Sequence, residues 1–244
     1  MEFKKWNDYF IKNQNHFSEI DFNDVDQLTE IEKAVIYSSI QQFQRGESSE
    51  GKHLFSFAKK FPDPDYTSCI KLFIKEEQMH ARVLGEFMDK HGIVHIRHHW
   101  VDSVFRWLRK LGGIANSVTV LVTAEIIAKP YYKALGKSSN SSLLKSICSQ
   151  ILKDEDQHIV FQCSALNYLF KKKNSIERSF SRAKHLILMM GTILVVWWHH
   201  KKVLRKGGYY FSKFWLETLL IYYQAEEIIK GKSHHELDQI IVTA

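Results

Sequence analysis

The chain has 244 residues, with 34 Lys and Arg against 27 Asp and Glu, and is 45% hydrophobic and 25% charged, which excludes a disordered chain. Three prolines and 11 glycines are too few for an all-β chain of many tight turns, and three cysteines without a Cys-x-x-Cys pair exclude a disulfide framework or a thiolate zinc site. The formal charge of +7 is local: ten Lys and Arg stand between Lys171 and Lys206 against one acid, Glu177, so that segment carries +9 and the remainder about −2 (7 − 9). The charge therefore points to a C-terminal contact surface, and no nucleic-acid partner is expected.

Residues 1–28 read as an N-terminal arm; the first 15 carry Lys4, Lys5, Trp6 and Asp8 and lack the apolar run of a secretory signal, so a cytoplasmic location is expected. Thr29 to Phe61 reads as one long helix, with Ile36, Ile40 and Phe43 on an apolar face, stopped by Pro62 and Pro64. Asp65 to His91 reads as a second helix, with Asp65 as N-cap and Gly92 as its stop. A connection from Gly92 to Gly113 contains a shorter amphipathic piece, Trp100 to Leu111. A third helix follows from Ile114 to Leu135, ended by Gly136, and Pro130 is expected to kink it. After the Ser-rich turn 137–142, a fourth helix runs to about Phe170. The fold class predicted is all-α: a four-helix bundle over 29–170 with its long crossover between helices two and three. Residues 171–244 form a basic, apolar appendage, in which a polar stretch (171–184) leads into a helical hairpin, 185–204 and 211–229, joined at Gly207-Gly208.

The polar residues on the apolar faces are spaced for chemistry. Helix two reads Glu76-Glu77-Gln78-Met79-His80 and helix four Asp154-Glu155-Asp156-Gln157-His158. Each contains Glu-x-x-His, which a helix places on one face, so that a carboxylate and an imidazole can ligate one metal. Helices one and three supply single glutamates, Glu47 and Glu125, each 30 residues before the glutamate of the pair (47 to 77, 125 to 155), and the two units are offset by 78. A duplicated helical hairpin brings such units together about one centre. Glu125, flanked by Val122, Ile126 and Ile127, has the setting of a core carboxylate that needs a partner charge. Four carboxylates and two imidazoles suit two iron ions, or manganese or a mixed pair. Glu50, one turn after Glu47, has no counterpart at Ala128 and is a candidate extra ligand or a hydrogen-bond acceptor for a ligand histidine.

These residues, Glu47, Glu77-x-x-His80, Glu125 and Glu155-x-x-His158, together with the crossover position, resemble the ferritin-like superfamily of di-iron carboxylate proteins. Gly46-Glu47-Ser48 is similar to rubrerythrins. The resemblance spans about 29–170 and implies that these six residues are metal ligands, with Glu77 and Glu155 bridging or chelating and Glu47 and Glu125 terminal. The position four after each histidine, where ribonucleotide reductases carry a radical tyrosine, holds Leu84 and Gln162. Tyr132 reads as a packed tyrosine and Lys129 as outward-facing.

The resemblance implies an oxidoreductase acting with O2 or peroxide and an electron donor, and the apolar appendage and kinked third helix give a place for a small apolar substrate. Rubrerythrin-like peroxide reduction, ferroxidase or iron-handling chemistry, and a non-catalytic membrane-associated metal-binding protein are the alternatives. Trp197, Trp198, Trp215, Tyr222 and Tyr223 beside the basic tip 199–206 suit either a packed layer or dimer contact, or attachment of 185–229 to a membrane surface at the inner face. The longest apolar run, Leu186 to Trp198, is 13 residues and short for a span.

Overall fold

The computed structural model describes residues 2–22, 28–48 and 51–232, and every regular element among them is helical. In chain order these are α1 (Glu2–Lys12), α2 (Glu30–Glu47), α3 (Lys52–Ala58), α4 (Pro64–Lys90), α5 (Trp100–Leu108), α6 (Ile114–Lys137), α7 (Ser142–Phe170), α8 (Ser175–Lys206) and α9 (Phe211–Ile229).

Local chemistry sets the helix starts. Thr29 and Glu32 form a capping box on α2, and Glu32 Oε1 also accepts the Asn140 N–H at 2.7 Å, tying the start of α2 to the turn between α6 and α7. The N-cap of α4 is Asp63, with Pro64 at the first helical position, and not Asp65. Gly92, at φ +63, follows the α4 C-cap as expected.

Other boundaries also differ from the sequence reading, and α5 ends at Leu108, short of Leu111. The segment read as one helix over 29–61 divides into α2 and α3, because Gly51, the α3 N-cap, sits at φ +62 and a Cβ there would overlap the Ile74 side chain. Gly136 lies inside α6; its missing Cβ lets α7 approach, since a Cβ there would meet Cys148 Cβ at 3.2 Å. The start of α8 is at Ser175, within the stretch read as polar connection, because Asn174 and Glu177 make a second capping box. Helix α6 continues through Pro130 as one element.

Helix α2 packs on α4 and α6 on α7, with α4 against α7 joining the two pairs; α8 lies on α6 and α9 on α7. The segment read as an arm is a packed helix: Phe3 and Phe10 of α1 are buried against Phe61, Tyr66 and Phe73. Along α4, Tyr66 to Phe73 belong to one apolar pack and Val83 to Met88 to another; along α7, Leu143 to Ile151 belong to the second and Phe161 and Ala165 to the first. The residues between them on both helices, 76–80 and 154–158, form a polar belt across an otherwise apolar interior.

A second buried polar group lies where α8 crosses α2. His200 Nδ1 is 2.8 Å from Ser39 Oγ, which is 3.0 Å from Tyr131 Oη. Burial, and then the charges of His199 and His99, push His200 down to about 3, so it is neutral in the fold. Its unfolded value is about 6.5, so as pH falls from about 6.5 toward 3 the unfolded chain gains a proton that the fold does not. Stability should therefore fall on that account by up to about 1.4 kcal/mol per pH unit. Urea midpoints measured across that range should show a shallower slope for His200→Gln than for the unsubstituted protein; parallel slopes would refute the assignment.

Candidate metal centre

The belt brings together all six described residues expected as ligands. Ligand-type atoms of Glu47, Glu77, His80 and Glu155 lie within 4.8 Å of one another, as do those of Glu77, Glu125, Glu155 and His158. Glu77 and Glu155 are common to both groups, while Glu47 and His80 belong to one and Glu125 and His158 to the other. His158 Nδ1 is 3.1 Å from Glu77 Oε1 and 3.6 Å from Glu125 Oε2; His80 Nδ1 is 3.7 Å from both Glu77 Oε1 and Glu155 Oε1. Glu50 lies outside the described residues.

The donor set fits two hard cations. His80 Nδ1, His158 Nδ1, Glu77 Oε1 and Glu155 Oε2 are all buried and make no well-aligned hydrogen bond, although His158 Nδ1 and Glu77 Oε1 lie at ion-pair distance. A buried polar atom without a good partner costs about 1–3 kcal/mol, and a cation among these four would satisfy them together. Glu47 is the last residue of α2, at the negative end of the helix dipole, where a cation would compensate a carboxylate.

Protons show the same strain. Burial, followed by the Glu77 charge, holds the Glu47 carboxyl well above the carboxylate range, and burial with the Glu125 charge does the same to Glu155. Burial would also lift Glu125, but the neighbouring Glu155 carboxyl and His158 imidazole hold it below its ordinary value. His158 is raised well above its usual value despite burial, by the four glutamates around it. Divalent cations displace such protons, so loading should weaken as pH falls.

Each histidine is oriented from behind. His80 Nε2 donates to Asp154 Oδ2 at 3.0 Å and His158 Nε2 to Glu76 Oε2 at 2.9 Å, leaving both Nδ1 atoms facing the centre. Glu76 and Asp154 stand one residue before the paired glutamates and are also offset by 78. Each serves the histidine of the opposite half. The same repeat that marks the six candidate ligands marks these two acids.

Asn13 and His16, after α1, complete the layer. Asn13 Nδ2 donates to Glu76 Oε1 at 2.7 Å and to Asp154 Oδ1 at 3.1 Å, bridging the two acids. His16 Nε2 lies 3.0 Å from Asp154 Oδ2, and Gln150 Nε2 donates to Asp154 Oδ1 at 3.0 Å. Burial would lift the Asp154 carboxyl, but its bonds to His16 and His80 hold it well below the usual range. Asp154→Asn should leave the fold intact and weaken metal binding about 10–100-fold in a chelator competition. An unchanged affinity would remove Asp154 from the site.

Tyr132 is not merely packed: its Oη donates to Glu47 Oε1 at 2.6 Å, and burial together with the Glu47 charge keeps the phenol protonated. Lys129 turns away from the centre and pairs with Asp156.

A cavity of about 170 Å³ reaches Glu47, Glu77, Glu125 and Glu155. Its walls are mostly apolar, with Phe43, Phe73, Leu121 and Val196 among them; α5 contributes Val101 and Phe105, and its C-cap contributes Arg109. Helix α5 buries no residue fully and is fastened to α2 through Asp102, which holds Arg106 at 2.7 Å and lies 3.7 Å from Arg45. The Arg109 guanidinium makes no hydrogen bond or ion pair with a described residue, although burial and Arg106 oppose its charge and Asp102, Glu77 and Glu125 favour it.

No protein-family model and no curated protein matches the chain.

Proposed function

We propose that the chain is a ferritin-like di-iron carboxylate oxidoreductase that uses O2 or peroxide on an apolar substrate held beside the metals. The observation that carries this reading is the meeting of two features: two ligand groups sharing Glu77 and Glu155, and an apolar cavity that reaches them. Glu77 and Glu155 would hold both ions, Glu47 and His80 one of them, and Glu125 and His158 the other. Bound there, iron or manganese would supply Lewis acidity and the electrons for reducing O2 or peroxide, with a separate donor restoring them.

The chain's own residues set the conditions for that chemistry. Tyr132 fixes the orientation of Glu47, and Asp154 and Glu76 keep the imidazoles turned so that Nδ1 faces inward. Phe73 lies edge-on to His158 at 4.7 Å and Phe17 to His80 at 5.8 Å, excluding water from behind the ligands. The cavity walls favour an apolar molecule, and Arg109 offers an anchor to an acidic group on it.

The test uses full-length protein loaded with ferrous ion under anaerobic conditions and mixed with O2 and, separately, with hydrogen peroxide. Oxidation by at least one of them faster than free ferrous ion in the same buffer is expected. A loaded protein whose iron reacts no faster than free ion overturns the proposal.

A further inference from the structure

We propose that the outward face of α8 docks the protein on an anionic lipid bilayer, the helix lying along the surface. Helix α8 is apolar on two sides. Its inner face, including Met189, Ile193, Val196 and Leu204, is buried against the rest of the molecule. Its outer face carries Ile176, Phe180, Ile187, Leu194 and Trp198, all exposed, Ile176 at 81% and Ile187 at 72%. Ala183 and Gly191, also exposed, fill the turns between them. The steps from 176 to 198 are 4, 3, 4, 4, 3 and 4 residues, so these seven positions form one straight stripe. At 1.5 Å per residue it is about 33 Å long. A helix apolar all round is normally buried all round or lies in lipid.

The charges choose the occupant. Lys184 lies 4.3 Å from the Phe180 ring and Lys201 4.6 Å from the Trp198 ring, so ammonium groups border the apolar side chains. Lys171, Lys172 and Lys173 precede the stripe, and Lys202, Arg205 and Lys206 follow it; the one acid on α8, Glu177, is engaged in its capping box. A second copy of the chain, laid on this face in either direction, would set cations against cations. Lipid phosphates meet the cations while the acyl boundary receives the stripe. Helix α8 is long and apolar enough to cross a membrane by length and composition, with a mean hydropathy of 1.3 over its best window. Its packed inner face, with His185 Nδ1 2.8 Å from Glu226 Oε1, instead keeps it attached along its length to the protein.

The experiment is flotation of the full-length protein with phosphatidylcholine vesicles and with vesicles that also contain phosphatidylglycerol. Binding should be roughly tenfold or more stronger to the anionic vesicles and should fall as salt rises. Ile187→Glu with Leu194→Glu should reduce it by a similar factor, and so should Lys201→Glu with Lys202→Glu, while thermal unfolding and metal content stay unchanged because these side chains contact little of the interior. Failure to bind either vesicle, or equal binding by the variants, overturns the proposal. So does a stable dimer in light scattering that the Ile187→Glu, Leu194→Glu variant dissociates. Resistance to alkaline carbonate extraction would show insertion across the bilayer and equally refute surface docking.

Discussion

Glu77→Gln and Glu155→Gln should each reduce bound iron from about two ions per chain to well under one, because each residue belongs to both ligand groups and an amide offers one neutral oxygen in place of two anionic ones. The consequence for stability separates a ligand from a structural acid. Burial and the Glu125 charge shift the Glu155 carboxyl upward, toward its neutral form, so an isosteric neutral amide should cost the metal-free protein little stability. The metal-loaded protein behaves differently. An ion present at about a thousand times its dissociation constant adds about 4 kcal/mol to the unsubstituted fold and nothing to a variant that does not bind it. Melting temperatures with and without ferrous ion, read beside metal analysis, check both halves. Normal loading by either variant would contradict the shared-ligand arrangement; a large loss of metal-free stability in Glu155→Gln would make Glu155 an internal ion-pair partner instead.

Gly207→Ala is expected to be the most damaging single methyl in the C-terminal region. Gly207 ends α8 where it crosses α6, and a Cβ there would fall inside the backbone of Ala134. Backbone cannot move aside as a flexible side chain can, so the two helices must separate, at a cost of about 3 kcal/mol or more. The separation also disturbs the cavity, because Thr192, Val196 and His200 of α8 line it. Gly191→Ala is the matched control: nothing lies within 4 Å of a Cβ there, and replacing a mid-helix glycine should stabilise by about 0.5–1 kcal/mol. Urea denaturation of the pair should move the midpoint in opposite directions. Equal midpoints would show that the α6–α8 contact is looser than this geometry requires.

The cluster of acids and histidines is legible in the sequence because it is repeated. Glu47, Glu77, His80, Glu125, Glu155 and His158 stand at intervals that a duplicated hairpin explains, and the structure brings all six to one belt. The same offset marks Glu76 and Asp154, which a reading limited to Glu-x-x-His passes over. Asn13 and His16 carry no such mark. They reach the centre from a segment without a counterpart in the repeat, and only the packing of Phe3 and Phe10 against α4 and α7 brings them there. Tyr132 reads as core in the sequence because its ring is core; its hydroxyl, at the far end, makes the bond to Glu47.

Helix boundaries were harder to read where one residue type outweighed a pattern. Apolar periodicity runs from α2 into α3, but a left-handed Gly51 packed against Ile74 breaks it just after Glu47. Polar composition hid the start of α8, although Asn174 and Glu177 supply a complete capping box. The exposed stripe of α8 was likewise concealed, since apolar periodicity does not say which of two apolar faces the protein covers.

The most direct test of the account is an anomalous-scattering map of iron-loaded crystals, collected at the iron edge. Two peaks about 3.5–4 Å apart, both within reach of Glu77 and Glu155, one beside Glu47 and His80 and the other beside Glu125 and His158, are predicted. A map without peaks in this belt, or with a single peak among His16, His80 and Asp154, would contradict it.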